Sequence, residues 1–137
     1  MGVILDSSVL VAFERRRFDL ERLVTDHNPA AISAVTAAEL LIGVERADTP
    51  ERRTRRQAFV QNIFVRTPII PFDLAQARLF ASEYAELARR GQLIGDRDLQ
   101  IAATALSMDY EVATLNIDEF QRVSNLRLVD VSGYRVS

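Results

Sequence analysis

Leu93-Ile94-Gly95-Asp96-Arg97-Asp98-Leu99-Gln100-Ile101-Ala102-Ala103-Thr104-Ala105 is followed, a few residues on, by Val112-Ala113-Thr114-Leu115-Asn116. In the first segment Ile101, Ala102, Ala105 and Leu106 fall on one helical stripe. Gly95, Asp96 and Asp98 stand where that helix begins, with the acids at its positive end. The second segment is a short apolar run closed by a polar residue, a pattern that suits a strand covered on both faces. A helix leading into a buried strand is the repeating unit of an α/β fold.

Working outward, the same unit recurs. Val3-Ile4-Leu5, Ala30-Ala31-Ile32 and Pro68-Ile69-Ile70 read as further buried strands, and residues 126–131 as a fifth. Between them Leu74, Ala77, Ala81, Tyr84 and Ala88 follow a helical stripe with Asp73 as its N-cap. Another helix begins at Thr36 and runs through Leu40, Leu41 and Val44, and another covers residues 57–65. The alternation predicts one α/β domain over residues 1–137 with a mostly parallel sheet.

Composition narrows the function. Hydrophobic residues make up 48% of the 137, enough for a packed core. No apolar run approaches the ~20 residues that span a bilayer. The run Val3-Ile4-Leu5 is broken at once by Asp6, so no signal peptide is expected. Without cysteine there are neither disulfides nor thiolate metal sites, and a cytosolic location is expected. Net charge is -2, yet all 17 basic residues are Arg and none is Lys. Two Arg clusters are candidate RNA surfaces: Arg52-Arg53-x-Arg55-Arg56 with Arg46, and Arg15-Arg16-Arg17. Each also reads as a solvated face.

Polar residues at the carboxyl ends of the strands carry the chemistry of open α/β sheets. Asp6 follows the first strand, Glu39 lies in the helix after the second, and Asn116 and Asp118 follow the strand at 112–115. Asp96 and Asp98 open the helix leading into that strand. Each position also has a structural reading. Asp6 is placed to cap the helix beginning near Ser8, Glu39 completes a Thr-x-x-Glu capping box with Thr36, Asp96 reads as an N-cap, and Asn116 with Asp118 can start a short helix. Together they form an acidic edge whose pKa values rise unless a cation is present. Oxygen ligands without Cys or clustered His favour Mg²⁺, with Mn²⁺ as substitute, over zinc. The sole histidine, His27, lies in an expected loop and offers no Ser-His-Asp arrangement.

Four segments in order resemble the PIN-domain family, and within it VapC-like toxins. They are Ile4-Leu5-Asp6-Ser7-Ser8, Thr36-Ala37-Ala38-Glu39-Leu40-Leu41, the segment 93–105, and Val112-Ala113-Thr114-Leu115-Asn116. The resemblance implies a three-layer α/β/α sandwich and a metal-dependent endoribonuclease. It places Asp6, Glu39 and Asp98 as metal ligands, with Asn116 at a fourth position that is often Asp. Asp96 either assists or only opens its helix; Ser8 supports the cluster, and Asp118 can act through water. It further implies a tRNA or rRNA substrate, a homodimer, and a small VapB-like antitoxin inserted over the acidic site. No pro-segment precedes the first strand, so control is expected from such an outside partner.

Two other classes also place acids at strand ends or keep this fold without its chemistry. A response receiver requires a Lys that this chain lacks, and a haloacid-dehalogenase-type phosphatase requires Asp-x-Asp where Asp6-Ser7-Ser8 stands. A PIN-like binding or regulatory module without catalysis is the alternative that the Asn at 116 leaves open.

Overall fold

The computed structural model describes residues 2–136, so Met1 and Ser137 lie outside the described residues. In chain order the elements are β1 (Val3–Leu5), α1 (Ser7–Glu14), α2 (Leu20–Asp26), β2 (Ala30–Ser33), α3 (Ala34–Glu45), α4 (Pro50–Arg66), β3 (Ile69–Ile70), α5 (Leu74–Arg89), α6 (Asp96–Met108), β4 (Glu111–Ala113) and α7 (Ile117–Phe120). A 3-10 turn, Ser132–Tyr134, follows. The four strands form one all-parallel sheet in the order β3-β2-β1-β4.

Alternation along the strands divides the core into the two halves expected of a three-layer sandwich. Val3 and Leu5 of β1, Ile32 of β2 and Ala113 of β4 face one cluster, filled by Val9 and Leu10 of α1, Leu20 and Leu23 of α2, and Val60 and Ile63 of α4. Ile4, Ala31 and Val112 face the other, filled by Leu87 of α5, Leu99, Ile101 and Ala105 of α6, and Phe120 of α7. β1 and β2 are buried on both sides, which is why they read as apolar runs, whereas Ile69 of the edge strand β3 is exposed.

Several boundaries differ from the sequence reading. The helix expected from Thr36 begins at Ala34, because Ser33 is its N-cap and accepts the Thr36 N–H at 3.2 Å. The helix expected over 57–65 begins at Pro50, with Thr49 accepting the Arg52 N–H at 3.1 Å. Helix α2 was not anticipated; Asp19 caps it by accepting from the Arg22 N–H. Asp73 does stand at the α5 N-cap, with Gln76 Oε1 accepting its backbone N–H at 2.9 Å.

The fifth strand does not form. Residues 126–131 touch β4 at the single bridge Val112–Leu128, where Val112 donates to Arg127 O and accepts from the Val129 N–H, both at 2.9 Å. Asp130 then takes the Ser132 N–H and hydroxyl, turning the chain away. Among the described residues no helix is long and apolar enough to cross a membrane.

Candidate active site

The chain runs from β1 outward to β2 and β3, then returns to place β4 on the other side of β1. The strand order therefore reverses between β1 and β4, and a crevice opens at their carboxyl ends. Asp6 leaves β1 at that point and Thr114 and Asn116 leave β4.

Asp6 occupies the N-cap position of α1, but its side chain makes no cap bond. It is only 4% exposed and accepts from Ser8 Oγ at 2.6 Å and Thr114 Oγ1 at 2.8 Å, both at Oδ2. The two hydroxyls are themselves fixed. Ser8 Oγ accepts the Leu115 N–H at 3.0 Å, and Thr114 Oγ1 accepts the Asn116 N–H at 2.9 Å. Among the described residues Asp6 Oδ1 accepts no such bond, so the capping reading of Asp6 gives way to that of a held carboxylate with one oxygen to spare.

Glu39 also escapes its structural reading. Ser33, not Thr36, caps α3, so the Thr36–Glu39 capping box does not form. Glu39 instead lies 3.5 Å from Arg97 Nη1. Burial and the charge of Asp6 raise its carboxyl above the usual range, against the lowering effect of Arg97. Asp98, in the first turn of α6, accepts from Asn116 Nδ2 at 3.0 Å. Burial first, then a hydrogen bond with Glu119 and the charges of Asp6, Glu119 and Glu39, push it up to about 7. The structure therefore brings Asp6, Glu39, Asp98 and Asn116 within electrostatic reach of one another, with Ser8 as an Asp6 support.

Asp96 stands apart. Gly95, not Asp96, is the N-cap of α6, and Asp96 is an exposed residue of its first turn. Asp118 is exposed as well. The acid that meets Asp98 is its neighbour Glu119, lowered by the hydrogen bond with Asp98 and by bonds from the Gly95 N–H and Asn116. His27 lies at the opposite, amino-terminal ends of the strands, with Nδ1 3.3 Å from Glu111 at the start of β4.

Sequence reading missed Glu119, Thr114 and Arg97. Thr114 carried a visible signal as the one hydroxyl in an apolar strand end. Thr114→Val keeps the shape but removes a donor to Asp6 and the acceptor of the Asn116 N–H. Outer-shell losses of this kind cost roughly 10–100-fold in activity, and the orphaned amide costs about 1–3 kcal/mol. Cleavage assays and thermal melts on the purified variant check both.

The donor set suits a hard divalent cation: carboxylate, amide and hydroxyl oxygens, with burial and then neighbouring negative charge raising Glu39 and Asp98. The fit is of charge and chemistry. Among the described residues no three acidic or histidine side chains are already grouped as a ready-made ion site.

The PIN domain profile matches residues 3–126. The chain is 33% identical over 132 residues to Ribonuclease VapC1 of Rickettsia felis, covering 96% of this chain and 98% of that protein. The chain belongs to the PIN-domain family. Within this family its relatives are VapC proteins. Over 112 residues it is 36% identical to the tRNA(fMet)-specific endonuclease VapC of Shigella flexneri, spanning 82% of this chain and 83% of that one. The same VapC fold is seen in the crystal structure of VapBC2 from Rickettsia felis bound to a DNA fragment from their promoter. There the TM-score is 0.83 at 28% identity, over 94% of this chain and 98% of that chain.

Proposed function

We propose that this VapC-type PIN domain is the toxin of a toxin–antitoxin pair and an Mg²⁺-dependent endoribonuclease. The observation that carries the reading is the convergence of Asp6, Glu39 and Asp98, from three separate elements, at the β1/β4 crevice, where burial and the neighbouring carboxylates raise Glu39 and Asp98. Asp6, Glu39 and Asp98 would hold Mg²⁺ or Mn²⁺, which when bound supplies Lewis acidity at a phosphate and a water of lowered pKa. Ser8 and Thr114 fix the orientation of Asp6, and the Asn116 amide holds Asp98 Oδ2. The Arg97 guanidinium, 3.5 Å from Glu39, would meet a phosphate oxygen there.

The substrate proposed is structured cellular RNA, with tRNA the first class to test because one relative is named for it. A small VapB-like antitoxin is the proposed partner, since the neighbouring structure is of a VapBC pair. A homodimer is proposed through the free edge of β3. There Ile69, Phe72, Leu74 and Tyr84 are exposed beside the ring contacts Phe72–Phe80 and Phe80–Tyr84. The site of action proposed is the cytoplasm.

Asn116, an amide at the fourth acidic position, favours a second reading, a PIN module that binds RNA without cutting it. Inducible expression separates the two. The toxin reading expects growth arrest, relieved by co-expression of the small open reading frame beside the gene. Normal growth with soluble protein that takes up Mn²⁺ by calorimetry removes the toxin assignment.

A further inference from the structure

The two Arg clusters differ in what they are bound to. In the first, Arg52 pairs with Asp48 at 2.7 Å, Arg53 with Glu45 at 3.0 Å, and Arg56 donates to the Gly43 carbonyl at 2.8 Å. Two guanidiniums of that face are thus already paired with carboxylates, and a third is taken up by a carbonyl. Around the end of α1 the opposite holds. Among the described residues Arg15, Arg17 and Arg135 make no ion pair, yet all three line one pocket of about 270 Å³.

The fold gathers them deliberately. After α1, Arg16 takes a left-handed conformation, φ 60°, which is disfavoured for a non-glycine residue. Its N–H reaches Phe13 O at 2.9 Å and that of Arg17 reaches Ala12 O at 2.8 Å, so the chain doubles back. The C-terminal segment then zips onto the returning strand through Val136 N–H to Arg17 O at 3.0 Å, a Phe18–Arg135 antiparallel bridge, and Asp19 N–H to Tyr134 O at 2.7 Å. Arg135 is thereby set in the same pocket as Arg17. Three guanidiniums held together repel one another, and among the described residues no acidic side chain lines the pocket to offset them.

The pocket is also continuous with the acidic crevice. Ser8, Val11, Ala12 and Arg15 line it at helical spacing, so it follows one face of α1. It starts at Ser8, whose hydroxyl donates to Asp6 at 2.6 Å, and Arg15 lies seven residues further, roughly 10 Å along the helix axis. We propose that this groove is a phosphate subsite in which Arg15, Arg17 and Arg135 hold the single-stranded RNA backbone flanking the bond that is cut. Guanidinium forks match phosphate oxygens, and the Val11, Ala12 and Leu115 walls suit a sugar or base edge. The inference rests on the RNA-cleavage reading above.

The test uses the Asp6→Asn chain, so that cleavage does not consume the probe, and a fluorescent single-stranded RNA oligonucleotide read by anisotropy over a salt series. Adding Arg15→Gln, Arg17→Gln and Arg135→Gln is expected to weaken binding about tenfold or more and to flatten the log K against log salt slope by about 2, near 0.7 per lost contact. Arg52→Gln with Arg55→Gln is expected to leave that slope unchanged. An unchanged slope in the triple variant, or loss of antitoxin binding with RNA binding intact, overturns the proposal and assigns the groove to a protein partner. Failure of the RNA-cleavage reading shows separately, as no metal-dependent cleavage by the intact chain. Single Arg17→Gln and Arg135→Gln variants, each expected to lose about a third of the effect, keep the result readable if the triple variant folds poorly.

Discussion

Asp6→Asn is expected to lower RNA cleavage by more than about a hundredfold while leaving the metal-free fold as stable as before. Removing an outer-shell support of a metal site costs roughly 10–100-fold, and Asp6 is proposed to touch the ion itself. Its stability contribution is separable, because an amide oxygen can still accept from Ser8 and Thr114 as Oδ2 does now. Substitution also removes one of the charges that raise Glu39 and Asp98. Asp96→Asn, at an exposed first-turn position, is expected to lose less than tenfold. Parallel cleavage assays and melts read all of this. Equal losses at Asp6 and Asp96, or a collapse of stability at Asp6, would return both residues to a helix-end role.

Metal-free protein is expected to lose stability as pH rises from about 4 to about 7, and Asp98→Asn is expected to abolish most of that slope. Asp98 is pushed up to about 7, above its unfolded value. A group raised in the folded state contributes stability that is complete below the unfolded pKa and lost as pH climbs through the folded one. Glu119 is lowered by the same hydrogen bond and opposes the change. Asp98 is partly exposed, so solvent screening cuts the effect to about 1–2 kcal/mol. Millimolar Mn²⁺ at pH 7.5 is expected to reverse the loss by mass action. Chemical denaturation across this pH window, with and without Mn²⁺, measures it. Stability that rises through the window in the metal-free chain would mean that the carboxyls are not crowded.

The inner strands were legible because burial on both faces makes them apolar runs, as in Val3–Leu5 and Ala30–Ser33. What failed was decided by single hydrogen bonds. Whether Ser33 or Thr36 caps α3 depends on which hydroxyl meets the Thr36 N–H, and periodicity does not register it. Helix α2 buries only Leu20 and Leu23, too few to show a period. Residues 126–131 have the composition of a strand but only one point of register with β4 before Asp130 turns them. At the site, the acids could be named from their places after strands, because the order of strands dictates where a crevice opens. Glu119 could not. Sequence offers Asp118 and Glu119 side by side, and only the rotation of the short helix after Asn116 decides which of them meets Asp98.

The central claim is that Asp6 and its neighbouring carboxylates cut RNA. Sequencing RNA 5′ ends after induced expression, with the intact chain beside Asp6→Asn at equal soluble levels, tests it most directly. A discrete set of new ends within tRNA or rRNA, present with the intact chain and absent with the variant, is the predicted result. The same ends from both, or none from either, would contradict it.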